Sequence, residues 1–205
     1  MNLEKLFQMQ KELDDRILAE HPIKEGEDRL AKKILALQVE LGELANCWRG
    51  FKYWSYNQKS KTEELGECPQ CKGTGDLGTV WAENCIECGG SGKVVVKNPL
   101  LEEYVDALHF ILSIGLEITE TDILDLKRWN LTKADNITEQ FLRLMSDVAE
   151  LYNGLCNDGF SKFDYEFLLL RFIHLGEMLG FSWQEIEQAY MSKNAENHAR
   201  QENGY

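Results

Sequence analysis

The stretch that decides the fold is residues 34–54, ILALQVELGELANCWRGFKYW. Its apolar residues recur with the spacing of a helix and form one stripe, namely Ile34, Leu37, Leu41, Leu44 and Trp48. Glu40 and Glu43 lie on the flank of this stripe and are three residues apart in the sequence. The small residues Ala36 and Cys47 lie beside them. The pattern predicts an amphipathic helix that carries a pair of acids next to its core-facing side.

A pair of acids on such a helix is often only a solvated edge, and that interpretation stays open for residues 34–54 alone. A second stretch, residues 98–116, favours a functional pair. Asn98 as N-cap and Pro99 at the first helical position predict that a helix begins here. The helix is apolar nearly all round and carries Glu103 and Asp106 on one face. We therefore expect these carboxylates to be withdrawn from bulk water, where an unpaired charge is costly.

Two pairs of acids on two helices can converge on one centre. At a separation of ~5 Å and an effective dielectric near 20, each pair of like charges repels by roughly 3 kcal/mol. Such a cluster needs cations or shifted pKa values, and hard divalent ions prefer oxygen ligands. Di-iron bundles use Glu-x-x-His on their helices, whereas the second pair here is Glu-x-x-Asp, with His109 three residues beyond Asp106. The pattern favours Mg²⁺.

Length and composition predict an all-α helical bundle with a small insertion. The chain has 205 residues, only three prolines and long periodic segments, which suits one domain of moderate size. Its net charge of −13 repels nucleic acid and polyphosphates unless metal ions or a local basic patch intervene, so nucleic-acid binding is not expected as the main function. No signal-type core or membrane-spanning run occurs, which predicts a cytoplasmic protein without membrane contact.

Further helices are predicted on both sides of these two. Residues 2–20 form an amphipathic pattern in which Gln10 and Asp14 adjoin the apolar side, and both could be simple interfacial polar residues. A short turn capped by Thr119 or Thr121 is expected to reach residue 129. Helices are predicted over 138–155, over 164–179 and from Ser182, where Ser182 and Glu185 match a capping box. Cys47 and Cys156 are expected to be buried apolar residues.

The chain changes character between residues 57 and 97, where helical periodicity ends. The segments CPQCKGTG and CIECGGSG give the spacing CxxC–x13–CxxC, in which each pair precedes a Gly-x-Gly turn. Its cysteines are Cys68, Cys71, Cys85 and Cys88. Four thiolates predict a structural Zn²⁺ site, and disulfides are the less suitable alternative in an intracellular chain. We therefore predict a zinc ribbon at 57–97, ending in a short hairpin at Val94–Val96, inserted into a domain formed by 1–56 and 98–205.

The C-terminal segment KNAENHARQENGY carries a polar stripe. Lys193, Asn197 and Arg200 follow each other at i, i+4 and i+7 and fall within about 60° of one another on a helix. The stripe could be plain solvated surface. A lysine, an amide and an arginine on one face are also the groups that a polyphosphate requires.

Four segments together resemble a known family. They are ELGEL, EEYVDALHFILSIGLE, FKYWS and KNAENHARQENGY. The chain resembles the dimeric all-α dUTPases of the MazG-like nucleoside triphosphate pyrophosphohydrolase superfamily, in the branch of Gram-positive bacteria and their phages. ExxE and ExxD are typical of the superfamily, whereas FKYWS and the C-terminal segment narrow the resemblance to dUTPases. It covers residues 1–56 and 98–205.

The resemblance implies an activity and a site. It implies hydrolysis of dUTP to dUMP and pyrophosphate by a cytoplasmic homodimer, with Mg²⁺ held by Glu40, Glu43, Glu103 and Asp106. The implied substrate-binding residues are Gln10, Asp14 and Trp54 around the uracil pocket, His109 near the deoxyribose, and Lys193, Asn197, Arg200 and Tyr205 on the phosphates. Lys52 is a further predicted substrate-binding residue. Glu40 is the candidate catalytic base, because it adjoins the core stripe most closely and could take the proton of the attacking water.

Two alternatives stay open on the sequence. A related pyrophosphohydrolase for another nucleoside triphosphate would have the same acidic helices and a different base pocket. A zinc-dependent interaction protein without enzymatic activity would have the acid pairs as surface features only.

Overall fold

A computed structural model describes residues 2–78, 84–119, 124 and 126–204. The described residues form six α-helices: α1 (Leu3–Glu20), α2 (Arg29–Trp48), α3 (Pro99–Ile118), α4 (Ile137–Cys156), α5 (Lys162–Met178) and α6 (Trp183–Glu202). Two short strands, β1 (Glu64–Glu67) and β2 (Lys93–Lys97), pair antiparallel between α2 and α3. The predicted all-α architecture with a small inserted element is confirmed. Within the described part of the chain, no helix is long and apolar enough to cross a membrane.

Helix α3 lies at the centre of the bundle and packs against α1, α2, α5 and α6. It is buried on nearly all sides, which explains its almost uninterrupted apolar sequence. Tyr104 of α3 stacks on Phe172 of α5 with ring centroids 4.3 Å apart. Gly176 permits this contact, because a Cβ there would lie 2.6 Å from the Tyr104 hydroxyl oxygen. The central position of α3 brings its polar residues close to three of its neighbours.

The starts of α3 and α6 follow from capping residues that the sequence predicts. The Asn98 side chain accepts a hydrogen bond from the backbone N–H of Leu101, and Pro99 occupies the first turn of α3. Ser182 and Glu185 form the predicted capping box of α6. The short turn expected at 119–129 lies partly outside the described residues, within which Leu126–Arg128 form a 3₁₀ turn.

The prediction that both remaining cysteines are buried is correct for Cys47 and wrong for Cys156, which is exposed. Leu144, Val148 and Leu151 form the buried side of α4. Cys156 follows Leu151 by five residues, which turns its side chain about 140° away from that side. A thiol at the last residue of the helix therefore faces solvent.

The segment between α2 and α3 leaves and re-enters the bundle at neighbouring points. The Lys61 N–H donates to the carbonyl of Cys47 at the end of α2, and the Leu100 N–H donates to the carbonyl of Lys61. Strands β1 and β2 continue this pairing and form the predicted hairpin, in which Leu65 lies opposite Val95. The cysteine-rich segment therefore projects from the bundle end where α2 finishes and α3 begins.

Candidate active site

Three of the four predicted carboxylates meet between α2 and α3. Oxygen atoms of Glu40, Glu43 and Glu103 all lie within 4.8 Å of one another. Glu40 and Glu103 are partly buried, whereas Glu43 is exposed. The helical spacing of three residues between Glu40 and Glu43 turns both toward α3, and the close packing of α2 on α3 supplies Glu103.

The electrostatics of this carboxylate cluster favour a cation. Burial, followed by the charges of Asp106, Glu43 and Glu103, raises the pKa of Glu40 to about 7. Burial and the neighbouring charges of Glu43 and Asp106 raise the pKa of Glu103 to about 7. Three oxygen donors at this spacing fit a hard divalent ion, which would allow all three carboxylates to be ionised together.

Asp106 lies beside this cluster and is paired with a lysine. Lys193 of α6 places its Nζ atom 2.8 Å from Asp106 Oδ2 and 3.2 Å from Glu102 Oε1. Burial raises the pKa of Asp106, while the hydrogen bond and charge of Lys193 act in the opposite direction. The pair ties α6 to α3 at the edge of the carboxylate cluster.

A cleft of about 850 Å³ runs from this edge between α1, α2, α3 and α6. Eight of the predicted site residues line it: Gln10, Asp14, Glu40, Asp106, His109, Lys193, Asn197 and Arg200. Its lining on α3 runs from Asp106 to Glu117, and eleven helical residues rise about 16 Å. A cleft of this length can accept a nucleoside with its phosphates at the acidic end.

A polar network lies along the cleft beyond Asp106, away from the carboxylate cluster. Gln10 Nε2 donates to Asp14 Oδ1 at 2.8 Å, and Ser113 Oγ donates to Asp14 Oδ2 at 2.6 Å. Tyr190 donates its hydroxyl proton to Gln10 Oε1 at 2.7 Å and stacks on the imidazole of His109, with ring centroids 4.1 Å apart. The predicted residues Gln10, Asp14 and His109 are thus brought into one network.

Three polar residues of this region were not predicted as site residues. Ser113 and Tyr190 belong to the network, and Lys33 lies 3.7 Å from Asp14 Oδ2 and 2.8 Å from a carboxylate oxygen of Glu117. Tyr190 could have been found, since it precedes Lys193 by three residues on the same stripe of α6.

Two predicted substrate-binding residues lie apart from the others. Lys52 and Trp54 are not among the described residues that line the cleft. Trp54 is 64% exposed and packs edge-on against Phe51 and Tyr53 just beyond α2. Tyr205 lies outside the described residues. Arg200 lines the cleft and pairs with Glu196 at 2.7 Å.

The four cysteines of the inserted segment form a second candidate metal centre. Their sulfur atoms all lie within 4.8 Å of one another, and the Cys68–Cys85 and Cys71–Cys88 sulfur pairs are each 3.7 Å apart. A tetrahedral ion with bonds of about 2.3 Å requires sulfur atoms about 3.8 Å apart, whereas a disulfide requires about 2 Å. The cluster therefore fits a tetrahedral metal ion, and its cysteines are free of disulfides.

The two halves of this cysteine cluster have the same local structure. The Gly75 N–H donates to Cys71 Sγ and the Gly92 N–H donates to Cys88 Sγ, both at 3.2 Å. Both glycines have positive φ, and a Cβ on either would lie within 2.3 Å of a carbonyl oxygen in the opposite half. The Gly-x-Gly turns thus orient backbone donors toward the sulfur atoms and allow the halves to approach closely.

Comparison with known proteins identifies the family. A search of curated proteins finds no match to the chain. A family model described as dUTPase matches residues 2–67 and 92–205, and the unmatched residues 68–91 contain all four clustered cysteines. The match therefore covers both acidic helices, the network around Gln10 and the stripe on α6. The chain belongs to the dUTPase family, whose members hydrolyse dUTP.

Proposed function

We propose that the protein hydrolyses dUTP to dUMP and pyrophosphate with Mg²⁺ held at the carboxylate cluster. The observation that carries this proposal is the convergence of Glu40, Glu43 and Glu103, since Glu40 and the neighbouring Asp106 line one end of the cleft. The oxygen ligands and the raised pKa values of Glu40 and Glu103 both suit a hard divalent ion. Asp106 is proposed as a further ligand once its contact with Lys193 is released.

Bound Mg²⁺ would offset the charge of the triphosphate and lower the pKa of a coordinated water. Glu40 is proposed to accept the proton of the attacking water, because its carboxyl group is both partly buried and turned into the cleft. Lys193, Asn197 and Arg200 line the same end and would contact the phosphate oxygens. The positive charges of Lys193 and Arg200 would attract a polyphosphate locally, in a chain whose net charge is −13.

Gln10 and Asp14 are proposed to face the base, with His109 near the sugar, since these residues lie along the cleft away from the carboxylate cluster. Lys52, Trp54 and Tyr205 complete the proposed substrate-binding set. The exposed side chain of Trp54 would have to move toward the cleft, or reach it in an assembly.

The cysteine cluster is proposed to hold one structural Zn²⁺. The 3.7 Å sulfur separations and the paired N–H donors support a closed site of four thiolates. The segment at 57–97 is proposed as an inserted module in a catalytic domain formed by 1–56 and 98–205. The family match omits residues 68–91, which supports an insertion within this segment.

A homodimer is also proposed. Leu35 and Val39 of α2 and Leu142 of α4 are each more than half exposed, on two helices that pack together. Gly42 lies one turn beyond Val39 and two turns beyond Leu35 and faces open space, since a Cβ there would meet nothing within 4 Å. An apolar face with a small residue at its end permits close helix packing in a symmetric dimer.

Pyrophosphate release tests the reaction directly. The purified protein should release pyrophosphate from dUTP when Mg²⁺ is present and none when a chelator removes it. A panel of the other deoxynucleoside triphosphates and UTP tests the alternative substrate. Equal turnover of another deoxynucleoside triphosphate would show that the base pocket does not select uracil. Equal turnover of UTP would show that the site does not distinguish deoxyribose from ribose.

A further inference from the structure

Glu102 of α3 faces α6 together with Asp106. The two residues are four apart on the helix and therefore share a face, whereas Glu103 is turned by about 100° from Glu102 and joins the carboxylate cluster. Among the described residues, Glu102 belongs neither to that cluster nor to the lining of the cleft. It therefore lies next to the site without forming part of either.

One lysine joins Glu102 to Asp106. The Lys193 Nζ atom lies 3.2 Å from Glu102 Oε1 and 2.8 Å from Asp106 Oδ2. The Lys193 side chain is only 11% exposed, compared with 31% for Glu102. An ammonium group has three donors, so it can bind both carboxylates at once. Lys193 is therefore held at the edge of the cleft by two negative partners instead of one.

The second partner matters when a divalent ion occupies the carboxylate cluster. Of the two acids, Asp106 lines the cleft, and a metal ion bound there would take its carboxylate from Lys193. A largely buried ammonium group that loses its partner is costly to leave in place. Glu102 already lies within hydrogen-bond distance, so Lys193 can keep a negative partner without movement of the backbone.

Glu102 is suited to hold a lysine and not a metal ion. Its Oε1 atom also lies 3.6 Å from Nζ of Lys97, the last residue of β2. Two ammonium groups thus flank a single carboxylate and offset its charge. The Lys97 side chain is 55% exposed, and exposed ion pairs contribute little. Lys193 is the closer and more buried partner, so its position depends more strongly on Glu102.

We propose that Glu102 is a positioning residue, which retains the Lys193 ammonium at the edge of the cleft when a divalent ion binds Asp106. This inference rests on the proposed binding of Mg²⁺ at the carboxylate cluster. Glu102 contacts neither the metal ion nor the substrate and acts through Lys193. The metal ion and Lys193 are then both present at the acidic end of the cleft before a nucleotide binds, so two positive charges can meet its phosphates.

The affinity of the nucleotide-free protein for Mg²⁺, measured by calorimetry, tests this role. Glu102→Gln should weaken Mg²⁺ binding about fivefold, because Lys193 then has Asp106 as its single charged partner and competes more strongly with the metal ion. In the Lys193→Met background the same substitution should weaken binding at most about twofold, since only a neighbouring negative charge is lost. In the Lys97→Met background Glu102→Gln should retain its full effect.

Chemical labelling reports the position of the lysine directly. Acetic anhydride at low extents of reaction measures how accessible each lysine is, and Lys133, which is 45% exposed, provides an internal reference. Addition of Mg²⁺ should leave the labelling of Lys193 nearly unchanged in the wild type, because the ammonium stays with Glu102. In Glu102→Gln, Mg²⁺ should raise the labelling of Lys193 severalfold, because the displaced ammonium has no second charged partner.

Three results would overturn the positioning role while the metal site stands. They are equal losses of Mg²⁺ affinity from Glu102→Gln in the wild-type and Lys193→Met backgrounds, loss of the effect in the Lys97→Met background, and an equal response of Lys193 labelling to Mg²⁺ in the wild type and Glu102→Gln. Absence of Mg²⁺ binding by the wild type would instead refute the metal site, and this inference with it. The wild-type Mg²⁺ affinity therefore distinguishes the two failures.

Discussion

The Lys193 ammonium lies 2.8 Å from Asp106 Oδ2, and this contact joins the polar stripe of α6 to the acidic face of α3. It places a positive charge at the position where a divalent ion would use the same carboxylate. Lys193 and a cation thus compete for Asp106, and a phosphate group could draw the released lysine toward the substrate.

Replacing Lys193 with methionine should separate these two effects. Mg²⁺ should bind severalfold more tightly to the nucleotide-free variant, because a loss of roughly 1 kcal/mol of competing attraction corresponds to about fivefold in affinity. Binding of a nonhydrolysable dUTP analogue should weaken. Lys133→Met, which removes a lysine paired with Glu177 at the surface, is the control. Unchanged Mg²⁺ affinity in Lys193→Met would show that the lysine does not compete for the carboxylate.

Replacing Glu40 with glutamine should abolish turnover, by a factor of at least about 100, because it removes a metal ligand and the proposed base. The fold should persist, since the amide retains the volume and relieves repulsion. Glu150→Gln on the exposed side of α4 is the control for a general loss of charge. Full activity of Glu40→Gln would remove Glu40 from the mechanism.

The raised pKa of Glu40 also predicts how stability depends on pH in the absence of divalent ions. The folded protein keeps this proton up to about pH 7, whereas the unfolded chain releases it near pH 4.5. Over this window the folded state binds more protons, so the free energy of unfolding falls as pH rises. Thermal unfolding with chelator should show this fall for the wild type and a smaller one for Glu40→Gln. Equal slopes for the two proteins would contradict the raised pKa.

Metal analysis should find about one zinc per chain, bound by the four clustered thiolates. Replacing Cys68 and Cys71 together by serine should remove the zinc and loosen the segment at 60–97, with less effect on the acidic helices. Cys156→Ser is the matched control, because its exposed thiol lies on α4 outside the cluster. Stoichiometric zinc in the double variant would mean that other groups hold the ion.

Light scattering at micromolar concentration should report a homodimer. Val39→Glu should shift it toward a monomer, because the exposed apolar face around Leu35 and Val39 would then bury a charge at the interface. Val96→Glu, at a comparably exposed position on β2, should remain a dimer. A monomeric wild-type protein would refute the dimer itself.

Replacing Arg200 with alanine should weaken a nonhydrolysable triphosphate analogue far more than deoxyuridine. A charge-assisted hydrogen bond contributes roughly 1.5–3 kcal/mol, which corresponds to about ten- to hundredfold in affinity. Calorimetry with both ligands distinguishes this from a solvated helix charge, for which a few tenths of a kcal/mol are expected. Equal small losses for the two ligands would leave the stripe on α6 as plain surface.

The sequence alone predicted α3, α6 and the residues of both candidate metal centres, of which Asp106 lies beside the carboxylate cluster and pairs with Lys193. Apolar periodicity, Asn98 with Pro99, and the Ser182–Glu185 capping box are local signals, and they sufficed to predict α3 and α6. Cysteine spacing predicted the four-thiolate cluster for the same reason, since short turns bring each pair together. The separation of Glu40 and Glu43 by three residues is likewise a property of one helix.

Only the tertiary structure decided how distant segments combine. The pairing of Lys193 with Asp106, and the network that joins Gln10, His109 and Tyr190, depend on how α1 and α6 pack on α3. No local pattern encodes such a contact, because the partners are 87 to 180 residues apart in the chain. The same holds for Cys156, whose exposure follows from which side of α4 faces the bundle. Periodicity identifies an apolar side of a helix, but packing decides which polar side chains meet across it.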